Sequence, residues 1–279
     1  MHLLIDSHAH LSMLAEDEEA LSSQIDEWIS AGLTAILDVG TRSDDLEPRI
    51  DLVQKCLCRR RDGESTTGDL RPTIRFSAGI WPSEEAIQNR QQHIDELETQ
   101  ILKAPKNLLA AIGECGLDRH WNSSEQPALV RGEQELFEAQ LDLAQRYSLP
   151  VIVHSREAAR ETLEIIRAFP SVRGVIHCFS YGPEELLAFQ DLGWYISFAG
   201  NITYKNAQSL RDALGVVSME RLLLETDSPY LAPVPHRGKA ANPAMVRYQY
   251  EGASQIKHLP VETIARQVFI NFNTLFRIM

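Results

Sequence analysis

Eight short aliphatic runs, each followed by an amphipathic stretch, constrain this chain more than any other feature it has. The runs are Leu3–Asp6, Leu33–Val39, Ile74–Gly79, Leu108–Gly113, Val151–His154, Gly174–His177, Tyr195–Phe198 and Leu222–Glu225. Each is continuous rather than alternating, the pattern of parallel strands covered on both faces. The stretches between them carry helical stripes. Leu21, Ile25 and Trp28 fall at i, i+4 and i+7 before Gly32, and Leu46, Ile50, Val53 and Leu57 repeat the pattern. Ile87, Ile94, Leu97 and Ile101 follow the third run, and Phe137, Leu141 and Ala144 the fourth, with Pro150 closing the exit. Ala159, Leu163 and Ile166 follow the fifth run, Pro183 opens a helix after the sixth, and Val261 to Phe272 make a last outer helix. This alternation over 279 residues predicts one α/β domain, a closed (β/α)8 TIM barrel spanning 1–279. An open doubly wound sheet is the alternative, but no glycine-rich phosphate loop follows the first run. The stretch 59–72, rich in glycine, serine and threonine, is expected to be an exposed insertion.

Composition sets the class of partner. With 44% hydrophobic and 24% charged residues the chain is expected to be globular. No apolar run reaches the roughly 18–20 residues that span a bilayer, so no membrane association is expected. Met1 leads directly into strand and motif, which leaves no room for a signal peptide and predicts a cytoplasmic protein. Cys56, Cys58, Cys115 and Cys178 have neither zinc-finger nor disulfide-scaffold spacing, in keeping with a reducing compartment. A net charge of −12 would repel a polyanion at long range, so any contact with nucleic acid must be local. Arg59-Arg60-Arg61 is the densest basic run, a pattern that usually marks solvated loop or helix-end charge. No obligate protein partner is inferred.

In a parallel barrel, chemistry belongs at the carboxyl ends of the strands. Asp6-Ser7-His8-Ala9-His10 lies there on the first strand, with two imidazoles two residues apart on one face. Glu114 follows the fourth run, His154 and His177 end the fifth and sixth, and Asp227 follows the eighth. Singly, each has an ordinary structural reading: a satisfied core histidine, a loop salt bridge, a helix cap. Together on one rim, they point to a metal site. Four imidazoles and two carboxylates can hold two divalent ions if one carboxylate bridges. Such a pair polarises an ester or phosphoryl oxygen and lowers the pKa of water. Asp227 is then both ligand and general base, taking the proton from the attacking water. Imidazole ligands favour Zn, Mn, Fe or Ni over Mg.

Five stretches now carry a resemblance: Asp6–His10, Gly113-Glu114-Cys115-Gly116-Leu117-Asp118, His154-Ser155-Arg156, His177-Cys178-Phe179-Ser180 and Glu225-Thr226-Asp227-Ser228-Pro229-Tyr230-Leu231. In this order they resemble the signatures of the TatD family of metal-dependent deoxyribonucleases, amidohydrolase-like barrel enzymes. The likeness extends to Asn273-Thr274-Leu275-Phe276, nearly the whole chain. It implies a two-metal site that hydrolyses phosphodiester bonds in DNA, often from 3′ ends, with Zn, Mn, Mg, Ni or Fe as the ion. It also implies that His8, His10, Glu114 and Asp227 hold one ion, and that Glu114, His154 and His177 hold the other, with Glu114 shared. His236-Arg237-Gly238-Lys239 resembles the family's Arg-Gly-Lys segment and makes Arg237 and Lys239 candidate substrate contacts. Arg156, two residues past a ligand, is placed to meet phosphate with its planar fork, the alternative being a salt bridge across the rim. Ser180 and Asn201 are further loop donors. Asp118 either orients a ligand or caps a turn.

The chain departs from the family pattern at three places, one of them the insertion at 59–72, which has no family counterpart. Where Gly-x-His-Pro-His is usual it has Gly79-Ile80-Trp81-Pro82-Ser83, so two site-facing histidines are replaced. Trp81 either offers a flat surface on which a base stacks or packs in the barrel wall. After Asp118 the family often has Tyr, whereas here Arg119-His120-Trp121 follows. Three readings therefore stand. The first is a phosphodiesterase acting on DNA ends or a small phosphodiester. The second is a hydrolase of a non-nucleic-acid ester, amide or aminoacyl ester on the same site, and the third a metal-stabilised binding protein.

Overall fold

All eight apolar runs form strands, and the strands pair in chain order. In the computed structural model, residues 4–15, 17–59, 72–122 and 125–277 are described. The strands are β1 Leu4–Ala9, β2 Leu33–Asp38, β3 Thr73–Ala78, β4 Leu109–Asp118, β5 Val151–Arg156, β6 Gly174–Ile176, β7 Tyr195–Phe198 and β8 Leu222–Leu224. Every neighbouring pair from β1–β2 to β7–β8 is parallel. Helices follow the strands and cover the outer face, so a strand such as β1 is buried along its whole length. That two-sided burial is why the runs read as continuous aliphatic rather than alternating. The result is a nearly closed (β/α)8 barrel, as expected.

Closure runs through the first strand and the segment after the last. Ala9 bridges Ser228, the Asp227 N–H donates to the His8 carbonyl (3.0 Å), and the His10 N–H donates to the Ser228 carbonyl (2.9 Å). Beneath them Asp6 accepts from the Thr226 N–H (2.9 Å) and from its hydroxyl (2.5 Å). The helix Val246–Lys257 fastens the seam from outside, its Tyr250 hydroxyl donating to the Ile5 carbonyl and accepting from the Ile5 N–H, each at 3.1 Å.

Three details differ from the sequence expectation. Strand β4 runs five residues beyond Gly113, so Glu114 and Asp118 lie within it rather than after it. The stripe after β3 is broken at Asn89 into the helices Glu84–Gln88 and Arg90–Lys103, the first capped by Ser83 Oγ accepting from the Ala86 N–H (3.1 Å). The helices Gln208–Val216 and Val246–Lys257 are not among the expected ones, although Leu210, Ala213 and Leu214 in the first and Val246, Tyr250 and Ala253 in the second are apolar at helical spacing. In the second the buried face includes Gln249, which donates to the Glu225 carbonyl (2.9 Å). Of the insertion expected at 59–72, residues 60–71 lie outside the described residues; Arg59 ends the helix Leu46–Arg59. No helix among the described residues is long and apolar enough to cross a membrane.

The extended β4 depends on glycine. Gly116 has φ +144°, and a Cβ there would fall on the His154 carbonyl oxygen of the adjacent strand. We expect Gly116→Ala to destabilise the protein by on the order of 3 kcal/mol. Chemical denaturation checks this; an unchanged midpoint would mean that β4 and β5 separate at no cost.

Candidate metal centre

The strand ends deliver six ligand-type side chains to one point. His8 lies in β1 and His10 one residue beyond it, and the Nε2 atoms of the two are 3.3 Å apart. Glu114 Oε2 is 3.4 Å from His8 Nε2 and 3.7 Å from His10 Nε2. Asp227 Oδ1 is 3.6 Å from each. The other Glu114 oxygen, Oε1, faces a second pair: His154 Nδ1 at 2.9 Å and His177 Nε2 at 3.0 Å, themselves 3.3 Å apart. One buried carboxylate thus serves two donor sets, with one oxygen each.

The tautomers that the surroundings impose fit metal ions. His10 Nδ1 lies 2.9 Å from the Val39 carbonyl, which can only accept, so neutral His10 keeps its lone pair on Nε2, inside the first set. His154 Nε2 lies 2.9 Å from Asp118 Oδ2, which leaves the lone pair on Nδ1, inside the second. His177 Nδ1 is turned toward Glu225 Oε1 at 3.5 Å. His8 Nδ1 has no hydrogen-bond partner among the described residues. Two divalent cations would satisfy sets that otherwise bring lone pairs against lone pairs. Two groups of donors could therefore hold divalent metal, His8 with His10 and Asp227, and His8 with Glu114 and His177; His154 stands beside the second through its contacts to Glu114 and His177.

Without metal, protons occupy these places. Burial works against the Glu114 charge, yet the His177 imidazolium and bonds from His154, His177 and His8 hold the carboxyl well below its usual range. Burial likewise opposes charge on His10, but Asp227 and Glu114 push its pKa up to about 9. His154 and His177 are raised too, against burial, by Asp118 and Glu114 and by Glu114 and Glu225 respectively, while burial and the neighbouring His177 lower His8. A ligand must be deprotonated to bind metal, so binding releases these protons. We expect apparent metal affinity to rise with pH and to level off only above about 9, the His10 value. Calorimetric titration in two buffers of different ionisation enthalpy measures the protons released; buffer-independent heats at pH 7 would contradict the assignment.

Asp118 both orients a ligand and caps a turn. While Oδ2 meets His154, Oδ1 accepts from the N–H groups of His120 (2.9 Å) and Trp121 (3.0 Å). Its own N–H donates to Glu133 Oε1 (2.8 Å), which also accepts from Asn122 Nδ2 (2.8 Å). Arg119 joins the other Glu133 oxygen and reaches Glu161 Oε2 (2.9 Å). The arginine in place of the family's tyrosine is thus half of a buried ion pair beneath the ligand loop. Glu133, on the helix Pro127–Tyr147, carries no motif and was not foreseen. Glu225, which accepts from the Cys178 N–H (2.6 Å), was likewise missed. Asp118→Ala should weaken metal binding by about 10–100-fold, mainly at the Glu114–His154–His177 set. Competition with a chromogenic chelator reads this directly, and wild-type affinity would show that Asp118 only caps.

Above the clusters opens a cavity of about 1210 Å³. Arg156, Trp81, Ser180, Asn201 and Asp118 all line it, as do Trp121 and Tyr230. Among the described residues no carboxylate forms a salt bridge with Arg156, so the rim salt bridge considered for it is not formed. Trp81 is half-buried, with its ring edge-on to His154 at 6.0 Å, in the cavity rather than sealed in the barrel wall. Arg237 and Lys239 are exposed and outside the cavity lining; Arg237 stacks on Tyr204 at 4.5 Å. Asp227 (φ 58°) and Cys178 (φ 45°) hold left-handed backbone at the rim, a strain that clusters at working sites.

Relatives share this architecture. The family model "TatD related DNase" matches residues 5–277. The uncharacterized metal-dependent hydrolase YcfH of Escherichia coli K12 is 37% identical over 281 residues, covering 99% of this chain and 96% of its own. YabD of Bacillus subtilis, also an uncharacterized metal-dependent hydrolase, is 29% identical over 278 residues, 99% of this chain and all of its own. The crystal structure of YjjV, a TatD homolog from E. coli K12, superposes with a TM-score of 0.83 at 23% identity, over 99% of this chain and 98% of that one. From the match over almost its full length, the chain belongs to the TatD family of metal-dependent hydrolases.

Proposed function

We propose that the protein cleaves phosphodiester bonds in DNA, working from 3′ ends of single strands. The observation that carries this reading is the Glu114 carboxylate shared between two imidazole pairs on the floor of a cavity that Arg156 also lines. The family's deoxyribonuclease name supports it. Divalent ions held by His8, His10, Glu114, Asp227, His154 and His177 would supply Lewis acidity and lower the pKa of water. Asp227, whose carboxylate stays ionised against burial through its bond to His10, accepts the proton of the attacking water. Arg156 holds a phosphate oxygen with its fork. Trp81, Trp121 and Tyr230 offer ring faces to unpaired bases. The cavity lining has seven carboxylates and two guanidiniums, so a polyanion depends on the cations held at the imidazoles and on Arg156 for its approach.

One observation favours a second reading. Asp44, Glu85 and Glu96 line one side of the cavity, and an acidic wall suits a substrate other than a polyanion, such as an amide, lactone or aminoacyl ester. Single-stranded DNA, an aryl phosphodiester and amide or ester substrates, assayed with Mg, Mn and Zn, separate the two. Turnover of amides alone would refute the DNA reading, and turnover of nothing would leave a metal-stabilised binding protein. Trp81→Ala should raise the Michaelis constant for DNA several-fold, since stacking contributes about 1–3 kcal/mol per base. An unchanged constant would return Trp81 to a packing role.

A further inference from the structure

The mouth of the cavity is electrically divided. The chain has 39 acidic residues in 279, about one in seven. Yet none occurs between Asp191 and Asp212, or between Asp227 and Glu251. The first segment holds β7 and the second begins after β8, so the residues that follow these two strands lie at the carboxyl end of the barrel. They are also stitched together: Tyr204 Oη donates to the Ala232 carbonyl (3.0 Å), and the Val234 N–H donates to Thr203 Oγ1 (2.9 Å). Opposite them, the β2 and β3 side of the mouth carries Asp44, Glu85 and Glu96.

On the acid-free side, cations alternate with tyrosines. Arg237 lies over the Tyr204 ring, next to the exposed Lys205. His236 bonds Tyr248 Oη through Nε2 (2.8 Å), and Arg247 stacks on the same ring at 4.7 Å. Lys205, Arg237, Lys239 and Arg247 are all exposed, and none forms a salt bridge among the described residues. Set among ring faces, in segments without a carboxylate and beside cavity residues Asn201, Tyr230 and Leu231, these four make a surface suited to a phosphate backbone with unpaired bases.

We propose that Lys205 and Arg247, with Tyr204 and Tyr248, extend the Arg237–Lys239 segment into a track along which a single nucleic-acid strand runs away from the cavity. The acidic wall opposite excludes the strand from the other side, so the polymer leaves over β7 and β8 only. The track rests on the DNA reading for its biological meaning but not for its test. The experiment measures binding of phosphorothioate-linked, fluorescein-labelled single strands of roughly 4 and 20 nucleotides by anisotropy, over a range of salt. Wild type should bind the longer strand at least about tenfold more tightly. In Lys205→Glu/Arg247→Glu that advantage should vanish, and the slope of log affinity against log salt should shrink by about 1.4, two single-strand phosphate contacts. Turnover of an aryl phosphodiester, too small to reach the track, should be unchanged. Both substituted residues are exposed, and a matching melting temperature verifies folding. Wild-type length and salt dependence in the double variant would overturn the track, as would failure of wild type to bind either strand. Strand binding without turnover of any phosphodiester would instead overturn the hydrolytic reading and leave the track in place.

Discussion

Asp227→Asn is expected to lower kcat by about 10³-fold while leaving most of the bound metal in place. The substitution is nearly isosteric, and asparagine tolerates the left-handed backbone that Asp227 occupies at φ 58°. Its amide oxygen can still face His8 and His10, which lie 3.6 Å from Oδ1. What it cannot do is accept a proton at neutral pH. Of the two carboxylates in the centre, Asp227 is the freer to do so, because both oxygens of Glu114 face imidazoles. Elemental analysis beside steady-state kinetics checks the prediction. Full activity would remove Asp227 as the base, and loss of all metal would make it chiefly a ligand.

Glu114→Gln should be the more damaging change. One amide nitrogen must then face one of the two donor sets, where it brings hydrogens to a place that needs a lone pair. We expect loss of ions from at least one set and a drop in turnover on the order of 10³-fold. The metal-free protein should suffer as well. His177 is held protonated chiefly by the Glu114 charge, and removing one member of a buried pair costs roughly 3–5 kcal/mol. A lower melting temperature in chelator, with a reduced metal content, is the expected pair of results. Unchanged melting would show that the imidazoles are neutral in the metal-free state.

The parts legible in the sequence share one physical property: they leave a local pattern. A parallel strand covered on both sides must be aliphatic throughout, so eight runs such as Val151–His154 and Leu222–Glu225 announced the barrel. A histidine or carboxylate directly after such a run is out of place in a core, which singled out His8, His10, Glu114, His154, His177 and Asp227. What supports them left no pattern. His10 is set by a backbone carbonyl at Val39, and Asp118 by Glu133 on a helix whose other buried residues are mostly apolar. The length of β4 was hidden because Glu114, Gly116 and Asp118 interrupt the aliphatic run just where the strand becomes functional. Trp81 was ambiguous for another reason: a ring beside a cavity and a ring inside a wall require the same sequence.

The seam between β1 and the segment after β8 has a temporal meaning. On a growing chain the imidazoles of the first donor set are made at residues 8 and 10, and their partner Asp227 more than two hundred residues later. The same bonds that bring Asp227 N–H to the His8 carbonyl join the two ends of the barrel. No fragment that stops before the last strand can therefore assemble the first donor set, and a nascent chain stays chemically silent until its ends meet.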